Sequence, residues 1–295
     1  MVNGMQRGYG VRRLLAALAV GISGILSMPA QGAGVAMVTD LQGKASATTQ
    51  GRVRDLSILS ELEPGAQVDL AAGGSMVALY LDAGDEYVFK GPAQILFNSS
   101  QPQVVKGARA EKRSSALGKG GKDIRIKPGG LAQGAMVMRG GILASRIKLQ
   151  NLHGTRTLEM QPEFRWQELQ PGLQYQFELN DDTGRTLQEA QVSATSFKLP
   201  ESIQLKDGAT YSWGVSVRLP DGRKYSSSGT FTVAGADLRA QAESLRPAST
   251  APLSTRVAYA AWLDQADLKD EARNYWRAAA SERPEDPRLK SLAEQ

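Results

Sequence analysis

The chain has 295 residues with 35 basic and 30 acidic side chains, 31 Gly, no Cys and one His, a length that allows about two domains at roughly 150 residues each. An apolar share of 41% and a charged share of 22% are those of a globular protein, which excludes wholesale disorder and a multi-span membrane protein. Without Cys there is no disulfide framework, thiolate zinc site, iron–sulfur cluster or cysteine nucleophile, and one His makes a His-based metal site or triad hard to assemble.

Residues 1–33 have the form of a secretory signal peptide. Arg7, Arg12 and Arg13 precede an apolar stretch from Leu14 to Leu26, and small residues follow from Met28 to Ala33. Pro29, Gln31 and nearby glycines break the continuation that a membrane-spanning helix would need. Cleavage is expected between Ala30 and Ala36, giving a periplasmic protein; retention as an N-terminal inner-membrane anchor is the alternative. The remaining chain carries 32 basic and 30 acidic residues, so the overall charge gives no argument for nucleic acid.

Residues 36–105 read as a β domain. Val68, Leu70, Met76 to Leu81, Tyr87 to Phe89 and Ile95 to Phe97 form short runs separated by Gly, Pro and Asp turns. A period of two places Tyr87 and Phe89 on one face and Val88 on the other. The spacings leave no room for crossover helices and predict a largely antiparallel sheet or a coiled β-roll. Val38-Thr39-Asp40-Leu41-Gln42-Gly43-Lys44-Ala45, Leu62-Glu63-Pro64-Gly65-Ala66-Gln67-Val68-Asp69-Leu70, Met76 to Leu81 and Gly91-Pro92 resemble the FecR-like domain of bacterial envelope proteins. That resemblance implies a β-rich periplasmic module used in sensing, regulation or envelope assembly. Only about 13 residues precede the apolar segment, too few for the cytoplasmic domain of the family's transmembrane regulators.

Residues 106–128 read as a basic linker or loop: from 106 to 127 there are eight basic and two acidic residues and almost no large apolar side chain before Ile124. Lys112, Arg113, Lys119 and Lys122 are the candidate contacts for an anionic partner, with a solvated linker as the simpler account of the same charges. Gly118-Lys119-Gly120-Gly121-Lys122 is not a phosphate loop, because Ala116 replaces its first Gly and Asp123 its Ser or Thr. Residues 129–160 are strand-like and belong either to the first or to the second domain. His153 lies in a turn-like tetrapeptide, where a surface role is the simpler one.

Residues 161–235 resemble a fibronectin type III or immunoglobulin-like sandwich. The pattern Leu-x-x-Gly-x-x-Tyr occurs at Leu169–Tyr175 and again at Leu205–Tyr211, each before a strand, which fits a tyrosine corner. Alternation stacks Tyr175, Phe177 and Leu179 on one face and Tyr211, Trp213, Val215 and Val217 on another, as core. The stretch from Asn180 to Gly184 lacks the glutamate of a calcium loop, Gln191 holding that place.

Residues 236–295 form a helical tail. After a linker from Arg246 to Thr255, apolar positions recur at helical spacing, with Asp267 the predicted N-cap and Pro284 and Pro287 as stops. Over 255–284 the slots Ala260, Leu263, Ala272, Trp276, Ala279 and Pro284 fit one tetratricopeptide-like hairpin. It is either a protein-docking element or a cap on the chain's own sandwich.

The sequence therefore predicts a mainly β protein: a FecR-like β domain, an immunoglobulin-like β-sandwich and a C-terminal α-helical hairpin. Its expected function is that of a non-catalytic periplasmic interaction or sensing component that docks other envelope proteins and uses no cofactor or metal. The alternative is a binder of anionic glycan or lipid head groups. A carboxylate-based glycan hydrolase is the least favoured reading, its candidate acids Asp82, Asp85 and Glu86 lying in a turn-like segment.

Overall fold

The computed structural model describes residues 34–115 and 146–294. The first ten strands are β1 (Ala36–Gln42), β2 (Ala45–Thr49), β3 (Arg52–Asp55), β4 (Glu61–Leu62), β5 (Ala66–Leu70), β6 (Ser75–Tyr80), β7 (Asp85–Lys90), β8 (Ala93–Phe97), β9 (Pro102–Lys106) and β10 (Glu111–Ser114). They make two antiparallel sheets, ordered β10-β7-β6-β1-β4 and β3-β2-β5-β8-β9. Val38, Met76, Ala78, Tyr80 and Phe89 of the first sheet meet Ala47, Val68, Ile95 and Phe97 of the second in one core. The close turns between strands require glycine: a Cβ on Gly91 would lie 1.9 Å from the carbonyl oxygen of Ala71.

The basic stretch is not a linker in its described part. Residues 111–114 form the edge strand β10, in register with β7 from Glu111 opposite Val88 to Ser114 opposite Asp85. All four side chains are exposed, so the strand is held by backbone pairing and by charge, and leaves no apolar signature. The first domain thus continues at least to Ser115, which is itself buried. Residues 116–128 lie outside the described residues.

The next strands are β11 (Thr155–Thr157), β12 (Glu163–Arg165), β13 (Tyr175–Asp181), β14 (Thr186–Val192), β15 (Ser196–Lys198), β16 (Thr210–Arg218) and β17 (Lys224–Val233). The larger sheet is ordered β11-β17-β16-β13-β14, with β11 parallel to β17, and the β12–β15 pair lies over it. Across the gap Phe164 meets Phe177 at 4.9 Å and Trp213 at 5.1 Å between ring centres, an aromatic core that closes the sandwich. Both tyrosine corners are present. The Leu169 N–H donates to Tyr175 Oη at 3.1 Å and the Lys206 N–H to Tyr211 Oη at 2.8 Å, so each phenol fixes the turn before its own strand. The predicted stripes on β13 and β16 are buried. Of the strand-like stretch 129–160, the described part joins this second sandwich: Leu149 bridges to Trp166, and Ile147 and Leu152 lie in its core.

Four helices are described: α1 (Ala236–Leu245), α2 (Leu253–Gln265), α3 (Lys269–Glu282) and α4 (Pro287–Glu294). The hairpin is α2–α3, and its small and large slots Ala260, Leu263, Ala272, Trp276 and Ala279 are all buried. Their cover is the chain itself. Met37, Leu79 and Leu81 on the outward face of the first sheet share one core with Val257, Tyr259, Leu263 and Trp276. The sheet is therefore apolar on both faces, which explains why β6 is buried at five successive positions instead of alternating. Two details of the predicted tail differ. Asp267 is not a cap but holds a left-handed backbone at φ +64°, just before the helix. Pro287 starts α4 instead of stopping a helix, with Asp286 accepting from the Arg288 N–H at 2.8 Å as its cap.

Candidate functional site

The segment from Arg146 to Leu158 joins the second sandwich to α3 through hydrogen bonds of its backbone. The Leu152 carbonyl accepts from Trp213 Nε1 at 2.8 Å, while the Leu152 N–H donates to Asp270 Oδ2 at 2.7 Å. The Leu158 N–H donates to Glu271 Oε1 at 3.0 Å. Thr155 completes the joint: its hydroxyl donates to the Asp267 carbonyl at 2.9 Å and accepts from the Lys269 N–H at 3.0 Å, so a strand residue caps the helix. Asp270 and Glu271 stand in the first turn of α3, where carboxylates complement the helix dipole. Burial pushes the Glu271 carboxyl above its ordinary range, with the Leu158 N–H acting in the opposite sense.

Two residues of this joint, Leu152 at φ +51° and Asp267 at φ +64°, keep left-handed backbones that cost a side chain of their size of the order of 1–3 kcal/mol each. The contacts just described hold them there. The sequence carries one sign of this joint, the acidic pair at the head of a helix. The left-handed residues and the strand hydroxyl that serves as cap depend on tertiary contacts and leave no local pattern.

Between this segment, the β12–β15 pair and α3 runs an open polar groove of about 850 Å³. Lys269, Arg273 and Arg277, spaced four apart on α3, line one wall, and Lys148, Arg165 and Lys198 come from the sandwich side. Four of these cations have carboxylate partners: Lys269 with Asp267, Arg273 with Asp270, Arg165 with Glu163 and Lys198 with Glu159. Glu163 is held below its usual range by the hydrogen bond from Arg165, with Ser196 adding to it. His153 is exposed on the rim.

The candidate cations chosen from the sequence lie elsewhere. Lys112 on β10 pairs with Asp85 at 2.7 Å and stands 5.9 Å from the centre of the Tyr87 ring; Arg113 pairs with Glu111 at 2.8 Å. Both are thus satisfied by acids of their own sheet. Lys119 and Lys122 lie outside the described residues. The three acids considered for hydrolysis do not converge: Asp82 is exposed in a turn, Asp85 holds Lys112, and Glu86 is buried against Ser254 of α2 at 3.4 Å. Asp85 and Glu86 belong to β7, not to a turn, and as neighbours on a strand they point to opposite faces.

The structure thus defines a mainly β chain of two sandwiches with a helical layer. Comparison with protein-family models and with curated proteins gave no match. Among solved structures, the chain is similar to CopC from Methylosinus trichosporium OB3b at 17% identity, over 30% of this chain and 95% of that one, with a TM-score of 0.23. It is similar to a two-domain fibronectin type III segment of chicken tenascin at 13% identity, over 64% of this chain and 82% of that one, with a TM-score of 0.23. A β-1,2-glucanase from Parabacteroides distasonis matches at 11% identity, over 85% of this chain and 48% of that one, with a TM-score of 0.20. At these TM-scores none of the three bears on the fold or the function of this chain.

Proposed function

We propose that this chain is an exported, non-catalytic interaction or sensing component of the bacterial cell envelope, of the FecR-like type, that docks another envelope protein. The observation that carries the docking is the second sheet of the first sandwich. Among the described residues its two edge strands, β3 and β9, pair only inward, with β2 and β8. They also carry the large apolar side chains that stand exposed among the described residues, Val53 at 70% and Val105 at 49%. An open edge offers unpaired N–H and C=O groups to a strand from a partner, and apolar side chains on that edge add to the gain. The leader-like residues 1–33 supply the export, and the FecR-like phrases supply the compartment's usual use of such a module.

The test is site-directed cross-linking from Val53 and Val105 in cells, with the intact mass of the periplasmic protein measured alongside. A discrete cross-linked envelope protein, weakened by Val53→Lys, and a mass lacking the leader are expected. Retention of residues 1–33 contradicts export with cleavage. A protein that reaches the periplasm but gives no cross-link from either edge contradicts the docking.

A further inference from the structure

We infer that one end of the first sandwich is a docking surface for an anionic phospholipid bilayer, which it meets through the head-group phosphates. Four of the links between the two sheets, β1–β2, β5–β6, β7–β8 and β9–β10, fall at this end and lock together through their backbones. The Ala71 N–H donates to the Lys44 carbonyl at 3.0 Å and the Gly91 N–H to the Gly74 carbonyl at 2.8 Å. Gly107 lies so close to Pro92 that a Cβ on it would stand 2.6 Å from that residue's carbonyl oxygen. Lys90 is in register with Ser75, and Lys106 with Gln94. With strands ~4.8 Å apart and packed sheets ~10 Å apart, Lys44, Lys90, Lys106 and Arg109 stand within roughly 20 Å of one another.

All four cations are exposed, and none has an ion pair among the described residues. The acids at this end do not cancel them. Glu111 is taken by Arg113 at 2.8 Å, Asp40 by Arg283 at 3.1 Å, and Asp69 accepts from Gln94 Nε2 at 2.8 Å. Asp55 lies on the edge strand β3, opposite Ser46. Even with Asp55, Asp69 and the Arg113–Glu111 pair counted in, five cations face three acids. Between the cations the exposed surface is small, made of Gly43, Ala71, Ala72, Gly73, Pro92 and Ala108. The long basic stems therefore reach past their neighbours. A spread of charges standing above small residues suits a flat layer of head groups, whereas a soluble anion or an acidic peptide is better held by a groove.

The experiment places a polarity-sensitive fluorophore on this end, which a chain without Cys makes simple. Ala108→Cys carries the label at the proposed surface, and Ser226→Cys carries it on β17 of the second sandwich as the reference. The full chain is titrated with vesicles of phosphatidylglycerol in phosphatidylcholine, with phosphatidylcholine alone, with inorganic phosphate and with a polyglutamate of matched charge. A response at Ala108, and not at Ser226, is expected with the phosphatidylglycerol vesicles alone, weakening as salt is raised. The triple variant Lys44→Gln/Lys106→Gln/Arg109→Gln is expected to need on the order of a hundredfold more anionic lipid, at about fivefold per cation. Lys206→Gln/Arg218→Gln/Lys224→Gln removes three exposed cations of the second sandwich instead, and is expected to leave the titration unchanged. Melting temperatures check the fold of both variants, and any binding through residues 1–33 is common to all of them. No response at Ala108, an equal response at Ser226 or with phosphatidylcholine, or an equal loss in both triple variants overturns the proposal. An equal or stronger response to inorganic phosphate or polyglutamate overturns it in favour of a free anion or an acidic protein.

Discussion

Three carboxyl groups, Glu86, Asp264 and Glu271, are pushed above the ordinary carboxylate range, in each case first by burial. Asp264 is the clearest of them. Its Oδ2 accepts from Trp276 Nε1 at 2.7 Å, which offsets part of the desolvation, yet its pKa still rises to about 6. Below the ordinary value of 3.8 both folded and unfolded chains hold the proton, and the full stability is present. Between 3.8 and about 6 the unfolded chain ionises first, so stability falls as pH rises, and the loss is complete above about 6. The effect is bounded at ~3 kcal/mol and is smaller in practice, because the side chain keeps some contact with water. Asp264→Asn keeps an acceptor for Trp276 and removes the ionisation. Denaturant unfolding at pH 4 and pH 7 is expected to show a flatter pH dependence in the variant and a gain at pH 7. An equal slope in both proteins would place the pH dependence in Glu86 and Glu271 instead. At this scale the two corner tyrosines were legible, because their spacing from the preceding Leu is local. Asp267 was not: Asp is a common N-cap, and what displaced it was a hydroxyl from Thr155, 112 residues earlier in the chain.

Elements are joined here by single polar residues as much as by apolar surface. Thr155 is the sharpest case, since one hydroxyl serves the last carbonyl of the turn and the first N–H of α3. Thr155→Val keeps the shape and leaves the Lys269 N–H without its acceptor, while the Asp267 carbonyl keeps the Arg156 N–H at 2.7 Å, so a loss of about 1–2 kcal/mol is expected in chemical denaturation, of the size measured for lost caps. A loss below the error of that measurement would mean that water replaces the hydroxyl. Gly91 makes a steric case of the same kind. A methyl there meets the Ala71 carbonyl oxygen at 1.9 Å, a backbone atom rather than the end of a flexible side chain, so Gly91→Ala is expected to cost on the order of 1–3 kcal/mol, read as a lower melting temperature. An unchanged melting temperature would show that the β5–β6 turn yields freely. Strands β5 to β8 were visible in the sequence because they combine apolar runs with Gly and Pro turns. Strand β10 was hidden by its own composition: Glu111-Lys112-Arg113-Ser114 has no apolar face, and its pairing depends on β7, whose Asp85 binds Lys112.

For the whole molecule, the decisive relation is between the first sandwich and the helices. A hydropathy pattern shows that β6 is apolar from Met76 onward, but not what covers its second face; a helical hairpin with an apolar side leaves the same question open from the other end. Both are answered by one core in which Leu79 and Leu81 meet Val257, Leu263 and Trp276. Polar ties reinforce it: Arg283 grips both oxygens of Asp40 at 3.1–3.2 Å, each side chain only 17% exposed. The candidate groove was out of reach of the sequence for a related reason. Lys148, Lys198 and Arg277 are far apart in the chain, and only the fold brings them to one surface.

The central claim is that the helices α2–α4 are part of the first sandwich's own core. Burial of Val257, Tyr259, Leu263 and Trp276 contributes about 1.5–3 kcal/mol each, a sum comparable with the whole stability of a domain at about 5–15 kcal/mol. The most direct test is a thermal melt of the protein with and without residues 253–295, followed through near-ultraviolet signals and binding of a hydrophobic dye. The account predicts that the truncated protein loses the cooperative transition of its first sandwich and binds dye before heating. A truncated protein that melts at the same temperature with no dye binding would contradict it, and would return the hairpin to the role of a docking element for another protein.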